Sequence, residues 1–465
     1  MSKVIVRAAV AVALLAGASV SGSGAVRAAA PQTFTVTNTS GSAGVAGSLP
    51  WALNKANTNS NGLDVIRFEI PGSGVQRINI SSTLYINEQV TIDGTTQPGY
   101  AGSPLVYVQG SAATSSLFLA ATPSGNTIRG LGMIWYKNNA ITLLYGSNAN
   151  VIADNWIGFT HVGAVTYRNS DYYAYTAAIG VQSSNNQFAR NTISGVYNGV
   201  VVGEAVEGAW TGRFYEGNSW SYNRIGTNAD GTAAIGNSSD GIFFGAGARN
   251  SAVGPWNVFG GNASTGVEIF HSSNTGIRVE YNSIGVDPSG TISVPNNELG
   301  VLISNGAHGN SVYGNHISGN RLGGVAIEKG AASNWVMNNN IGLNKAQTAR
   351  LGTQNVGVSV NSGATSNAIR GNVIAGHTQH GVIIADNVSN SVYYNWIGMG
   401  GTGVLVANGA FGVMLLRSSY NWISGNAWGT NRMGRIGLDQ SYGNNVACPD
   451  LAARALRCMV MQSYV

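Results

Sequence analysis

The sequence predicts an all-β chain wound as a right-handed parallel β-helix solenoid, with an N-terminal helical cap and a disulfide-tied C-terminal cap. Three observations predict it: a returning phrase, its spacing, and the patterning between its copies. The phrase is Asn, any residue, Ile, then Gly or a small residue, from Asn155-Trp156-Ile157-Gly158 through Asn315-His316-Ile317-Ser318 to Asn421-Trp422-Ile423-Ser424. Subtracting positions from a looser copy at Asn257 through Asn282, Asn315, Asn339, Asn372 and Asn395 gives steps of 25, 33, 24, 33 and 23 residues. A period of roughly 20–50 residues marks a solenoid, propeller or array.

Short steps suit three brief strands and three bends, and long steps add a loop-sized excursion. Examples of the excursion are Gly226 to Ile235 and Gly285 to Pro295. Between phrases, apolar residues alternate with polar or small ones, as in Gly357-Val358-Ser359-Val360-Asn361, the two-residue period of a strand with one buried face. The 65 glycines and many asparagines supply positive-φ bends, and one Asn per turn can stack into a hydrogen-bonded ladder along the axis. Successive turns then pair as parallel strands, and the general crossover preference sets a right-handed winding.

The elements follow in order. Residues 1–30 carry Lys3, Arg7, an apolar run from Ala8 to Ala18 and the small residues Ala28-Ala29-Ala30, the layout of a cleaved secretory signal. The run is too short to span a bilayer, and nothing later is long enough. Without Lys3, Arg7 and Arg27 the 24 basic residues become 21 against 19 acids, so a formal charge of +5 falls to about +2. That balance, with no Lys/Arg run, argues against a nucleic-acid partner. Residues 31–120 form the N-terminal cap and first coils. Thr33 to Thr37 reads as a strand, and Ser48 caps a helix that opens on Pro50 and Trp51. Asp64 to Phe68 and Val90 to Gly94 read as further strands. A helix over the first coil hides an apolar end and a bare strand edge. Repeats are expected over 121–432 and a cap over 433–465. There Cys448 and Cys458 bracket a short helical segment, Asp450 to Leu456; in an exported chain two cysteines favour one disulfide over two free thiols.

The stretches Gly47-Ser48-Leu49, Asp64-Val65-Ile66-Arg67-Phe68, Ile70-Pro71-Gly72-Ser73-Gly74 and Thr91-Ile92-Asp93-Gly94-Thr95-Thr96-Gln97-Pro98-Gly99-Tyr100 resemble the opening of bacterial secreted right-handed parallel β-helix repeat proteins. With the internal Asn-x-Ile phrases the likeness covers nearly all of the mature chain, departing at Pro50, where the family usually has Arg. That family is similar to pectate lyases and related polysaccharide lyases and hydrolases, so the resemblance implies the fold and an extracellular or cell-surface polysaccharide as partner. It does not bring a complete catalytic signature. Asn228-Ala229-Asp230-Gly231 is similar to the polygalacturonase Asn-x-Asp motif but lies in an excursion, with no partner Asp-Asp or Gly-His-Gly.

Aligning turns on the Gly that opens each apolar strand brings Glu204, Ala246, His271, Asn305, Lys329, Ser362, Asp386 and Arg417 into one column, with Glu268 and Glu328 nearby. As a polysaccharide groove, this stripe offers lyase chemistry. Lys329 or His271 would remove the proton beside a uronate carboxylate, while Arg417, Asn305 or a bound cation neutralises the carboxylate. Glu268 and Glu328 would serve a hydrolase as acid and base. The competing reading is a solvent-facing bend that tolerates any polar residue. Trp156, Trp335, Trp396 and Tyr393, with Asp386, are candidate sugar-binding groups, unless the long excursions fold over the rings. The Tyr-rich insert Tyr167 to Tyr175 forms a candidate cleft wall. His377 and His380 sit on a bend rather than a helix, so no metal site is expected there. Asp230 and Asp287 could hold Ca²⁺ or make Asx-turns. The expected function is a secreted polysaccharide lyase acting on an acidic polymer. A glycoside hydrolase and a non-catalytic adhesive β-helix are the alternatives.

Overall fold

The computed structural model describes residues 30–59, 62–111, 113–163, 165, 176–204, 210–447 and 461–463. Three long sheets dominate it, of 15, 13 and 14 strands, and apart from one terminal pair in the first and one in the last the hydrogen-bonded neighbours are every third or fourth strand of the chain. One turn visits them in sequence: Arg278–Glu280 in the first sheet, Ser283–Ile284 in the second, Leu299–Ser304 in the third. Every strand pair within these sheets is parallel, in register with the turns before and after. The chain is the parallel β-helix expected, right-handed as the crossover preference requires.

The cross-section is filled by one inward residue from each repeat strand of the first and second sheets and two from each strand of the third. Ile284, Ile317 and Ile341 stack in the second sheet and Val301, Val325 and Val358 in the third, all essentially without solvent exposure. One core therefore runs the length of the coil.

Buried asparagines close the corners. At the corner between the first and second sheets Asn155, Asn191, Asn223, Asn257, Asn282, Asn315, Asn339, Asn372, Asn395 and Asn426 form an unbroken amide ladder. Asn315 is typical: its Oδ1 accepts from the backbone N–H of Asn282 at 2.9 Å and from Asn282 Nδ2 at 3.0 Å. Its Nδ2 donates to the carbonyl of Val279 at 2.8 Å and to Asn339 Oδ1 at 3.0 Å. The ladder was legible in the phrase, but the structure contains two more. Asn310, Asn334, Asn367 and Asn390 run where each turn enters the first sheet. Asn237, Asn262, Asn296 and Asn320 run where each turn enters the third. In the later coils of this third ladder Gln354, His377 and Asn408 take over: His377 Nδ1 donates to Asn408 Oδ1 at 2.8 Å and Nε2 accepts from Gln354 Nε2 at 3.1 Å. His377 is thus a structural rung, and burial lowers its pKa to about 4. His380 stacks on Phe411 instead of joining it.

The helix Leu49–Ala56 starts at Ser48, whose side chain accepts from Trp51 N–H at 3.1 Å, with proline in its first turn. Its buried residues Leu49, Ala52, Leu53 and Ala56 join the core against strands Thr33–Val36, Asp64–Phe68 and Leu84–Ile86. At the other end, pairing continues through Gly434–Asp439 and Asn445–Val446. The signal segment, Tyr167 to Tyr175, Cys448, Cys458 and Asp450 to Leu456 lie outside the described residues. No helix among the described residues is long and apolar enough to cross a membrane.

Replacing Asn315 by Ala strips two donors of Asn282 of their acceptor inside the core. Chemical unfolding should show a loss of about 3 kcal/mol, the cost of buried groups left unpaired. Asn→Ala at an exposed site such as Asn87 should cost less than a third of that.

Candidate functional site

The ionisable column is real as geometry. His271, Asn305, Ser362, Asp386 and Arg417 directly follow strands of the third sheet, Lys329 follows its strand after Glu328, and all have positive φ, from 46° at Arg417 to 131° at His271. Positive φ at a bend favours short polar residues, which by itself supplies much of the column's polarity. Several of its charges are already engaged. Arg417 clasps Asp386 in a bidentate pair, Nε to Oδ1 at 2.6 Å and Nη2 to Oδ2 at 2.8 Å. Lys329 lies 3.4 Å from Glu328, and His271 Nδ1 shares a 2.8 Å hydrogen bond with Ser273 Oγ.

Inside this corner, Glu268 projects from the outer face of the third sheet between its register neighbours Phe243 and Leu302. Burial, and then the field of Asp240, raise its pKa to about 8; Lys329 opposes and Glu328 and Glu298 add to the rise. Asp240 is itself raised, by burial first, although Thr265 N–H donates to it at 2.9 Å. The sequence reading missed Asp240 and Glu298, which precede the aligning Gly by one and two places and so fell outside the column. At the His271 end a wall rises: the Trp210 ring lies 6.0 Å from His271 and 5.2 Å from Phe214. Tyr215 and Thr211 donate to Glu204 there, at 2.7 Å from the Tyr215 hydroxyl and 2.9 Å from the Thr211 N–H.

The aromatic candidates stand on other faces. Trp156 and Trp396 are on the second sheet, Trp335 and Tyr393 on the first. Trp422 shares the Asn-x-Ile phrase with Trp396, yet Asn421 belongs to the first-sheet ladder, so its ring is on the first sheet, 5.4 Å from Tyr393. Trp335, Trp396 and Trp422 are 42%, 38% and 43% exposed, so excursions do not bury them. Trp156 stacks at 5.4 Å on Phe159, the first residue of its own excursion.

A trough runs along the outer face of the second sheet. Excursions closed by Thr227 with Ala234, Val286 with Ser293 and Leu343 with Arg350 form one wall. The other is the bend before the ladder, where Asp154, Arg190, Tyr222 and Tyr281 have φ of 58°, 54°, 58° and 55°. Two cavities open in it. One, about 500 Å³, is lined by Trp156, Asp154, Arg190, Tyr222, Arg224 and Asp230 among others. The second, about 280 Å³, is lined by Trp256, Tyr281, His316, Asn340, Lys345 and Gln347 among others. Tyr222 of the first and Trp256 of the second lie against each other, ring centroids 4.9 Å apart and tilted by 38°. Arg190 is held by Asp154 in a bidentate pair at 2.6 and 2.8 Å. Arg224 has no such partner among the described residues; its Nη1 donates to the Trp256 carbonyl at 3.3 Å, and burial lowers its pKa.

Arg224 and His316 were missed although the signal was present, because both occupy the variable place of the Asn-x-Ile phrase, in the column of Trp156 and Trp396. Tyr222 and Tyr281 directly precede ladder asparagines. Asp287 makes the Asx-turn alternative: it accepts from the N–H groups of Ser289, Thr291 and Ile292 at 3.0, 2.8 and 2.7 Å. Among the described residues no three His, Cys, Asp or Glu are grouped to hold a metal ion.

No family model matches the chain, and no curated protein matches it. Among solved structures it is similar to the periplasmic alginate epimerase AlgG, with 12% identity, a TM-score of 0.47 and coverage of 78% of each chain. It is also similar to the A-module of the Azotobacter vinelandii mannuronan C-5 epimerase AlgE4, at 12% identity and TM-score 0.42, over 86% of this chain and 96% of that one. A third likeness is to the Dettilon tailspike protein, at 11% identity and TM-score 0.41, over 87% of this chain and 65% of that one.

Glu268 gives a test of the third-sheet cluster. A folded pKa of about 8 against an ordinary 4.5 means the folded state holds an extra proton between those values. Its stabilising share is complete below about pH 4.5 and is lost as pH rises through 8. Glu268→Gln should therefore melt with wild type near about pH 4 and several degrees above it near about pH 9. Parallel melting curves at both pH values would place the carboxyl in solvent instead.

Proposed function

We propose that this chain binds an extended acidic polysaccharide outside the cytoplasm, along the trough of the second sheet, and cleaves it by β-elimination. The observation that carries the binding reading is Arg224: a half-buried guanidinium with no salt bridge among the described residues, in a cavity of about 500 Å³ beside Trp156 and Tyr222, with Asp230 the carboxylate whose field reaches it. Such a group is a receptor for a planar anion, and flanking rings accept the apolar faces of sugars. From Trp156 to Asn340 the trough crosses seven consecutive strands, roughly 29 Å at the parallel-strand spacing, which suits a polymer better than a monosaccharide. Export is supported by the layout of residues 1–30.

For elimination the chemistry needs a cation against the carboxylate, which makes the neighbouring C–H acidic, and a base to take the proton. The trough offers Arg224 and Lys345, which make no salt bridge among the described residues, whereas on the third sheet Arg417, Lys329 and His271 already have partners.

Glycoside hydrolysis on the third sheet is the second reading, favoured by one observation: Glu268 is held protonated through neutral pH, the state a general acid requires. There Glu268→Gln would abolish the formation of reducing ends on a neutral polymer.

Arg224→Gln should weaken binding of an acidic polysaccharide at least about 10-fold, the loss expected for one charge-assisted contact. It should also flatten the salt dependence and spare any neutral polymer. Titration calorimetry at two salt concentrations checks this, and an unchanged affinity would sink the assignment. Binding to a broad panel with neither unsaturated nor reducing ends formed would leave an adhesive β-helix.

A further inference from the structure

Three excursions of the trough are built on one plan, which isolates Asp230 as a residue the fold does not require. In each, one Asn or Asp side chain closes the turn. Asn228 Oδ1 accepts from the N–H groups of Thr232 and Ala233 at 2.9 and 3.1 Å, and Asp287 Oδ1 from those of Thr291 and Ile292 at 2.8 and 2.7 Å. Asn344 Oδ1 does the same for Thr348 and Ala349 at 2.9 and 3.3 Å. Two places further on stand Asp230, Ser289 and Ala346. The first Asx-turn is therefore made by Asn228, and the plan needs no carboxylate at 230. Asp230 is exposed, lines the larger cavity, and takes no hydrogen bond or salt bridge among the described residues.

That cavity holds two arginines and two aspartates in different states. On the bend wall Arg190 and Asp154 are clasped at 2.6 and 2.8 Å, whereas Arg224 and Asp230 are left apart. The path of the Arg224 side chain keeps them so. A methyl group at Gly231 would come within 2.9 Å of Arg224 Cδ and 3.0 Å of Nε, so the stem runs against the tip of the excursion where a side chain is missing. Nη1 then donates across the trough to the Trp256 carbonyl at 3.3 Å, in the bend column where Trp256 has φ of 60°. The guanidinium is thus tied to the bend wall and out of contact with the Asp230 carboxylate. Trp156 and Tyr222 line the same space. An ionised carboxylate only accepts hydrogen bonds, and the groups of a sugar that donate them are its hydroxyls.

We propose that Asp230 is a specificity-determining residue of the trough: an acidic sugar unit lays its anionic group against Arg224 and donates hydrogen bonds from two neighbouring hydroxyls to Asp230. The polymer taken is then one whose ring hydroxyls are unsubstituted. It rests on the reading of the trough as an acidic-polysaccharide site and names the form of polymer that the site accepts. An O-acetyl group on those hydroxyls removes the donors and sets an acceptor against the carboxylate, which rejects the modified chain.

Titration calorimetry on the full chain, with polyuronates in de-O-acetylated and O-acetylated form, tests it. Taking a negative charge out of a site for a polyanion should, by electrostatics alone, tighten binding. Asp230→Ala should instead weaken binding of the de-O-acetylated polymer about 10-fold or more, the loss expected for hydrogen bonds to a charged group. Asp230→Asn, which keeps one acceptor oxygen, should recover part of that loss. Wild type should bind the O-acetylated form about 10-fold more weakly, and Asp230→Ala should bind both forms alike. Both variants should melt with wild type, since the residue is exposed and outside the turn's hydrogen bonds. Unchanged or tighter binding by Asp230→Ala would overturn the assignment and leave the binding reading intact. Failure of wild type to bind either form of any polyuronate, or wild-type affinity in Arg224→Gln, would overturn the binding reading and the assignment together.

Discussion

Everything in this molecule depends on how buried backbone is satisfied at the corners of the coil. A strand pairs its N–H and C=O groups with the turns before and after, but a bend between sheets turns them out of the ladder. Here an Asn side chain is drawn inward at the bend and supplies both partners: Asn282 N–H and Nδ2 bond to Asn315 Oδ1, and Asn315 repeats this toward Asn339. Each rung completes the one before it, so the stack has no cheap interruption until its ends. The ladder fixes the turn-to-turn spacing that the stacked Ile and Val side chains then fill.

That division of labour frees the outer faces. With packing carried inside and bends carried by amides, the outward residues of each strand contribute little to stability and can differ from turn to turn. The three sheets have become chemically distinct surfaces. The third presents Phe243, Leu302 and Glu268 in one outward row, the second presents Trp156, Arg224 and His316, and the first presents Trp335, Tyr393 and Trp422. The excursions closed by Thr227 with Ala234, Val286 with Ser293 and Leu343 with Arg350 leave the coil after the second sheet and wall that face along several turns, and its cavities follow from where they fall, while the segment after Glu204 walls only the His271 end of the third.

The repeat, the alternation and the excursions were legible in the sequence because each is set by spacing along the chain. Which face a residue occupies was only partly so. Asn395-Trp396-Ile397 and Asn421-Trp422-Ile423 are the same phrase, yet the first turns the corner into the second sheet and the second turns into the first. The three ladders use one residue type for one physical reason, so the phrase cannot say which corner it marks. Grouping Trp156, Trp335, Trp396 and Tyr393 with the Lys329 column therefore joined residues that the coil holds on three faces. Asp287 shows a smaller ambiguity of the same kind: one carboxylate in a Gly-containing excursion suits a cation or a turn, and three local N–H groups decide for the turn.

Electrostatics then discriminates between faces with similar residue types. Arg417 is half-exposed and already makes two short bonds to Asp386, so an incoming carboxylate must displace a matched partner in high dielectric, where little is gained. Arg224 is partly withdrawn from water and gives one N–H to a neutral carbonyl, and the field of Asp230 in the same cavity opposes the effect of burial without a salt bridge between them, which leaves its charge only partly compensated. In a chain with so few charges, placing a guanidinium under cover with no carboxylate in contact among the described residues costs desolvation that Asp230 repays only in part. An anion arriving from solvent repays it, and gains more there than at the paired and exposed sites of the third sheet. The same argument extends to Lys345, which faces the neutral ring of His316 with no carboxylate in salt-bridge reach among the described residues, so the walled face is the one prepared for an acidic polymer.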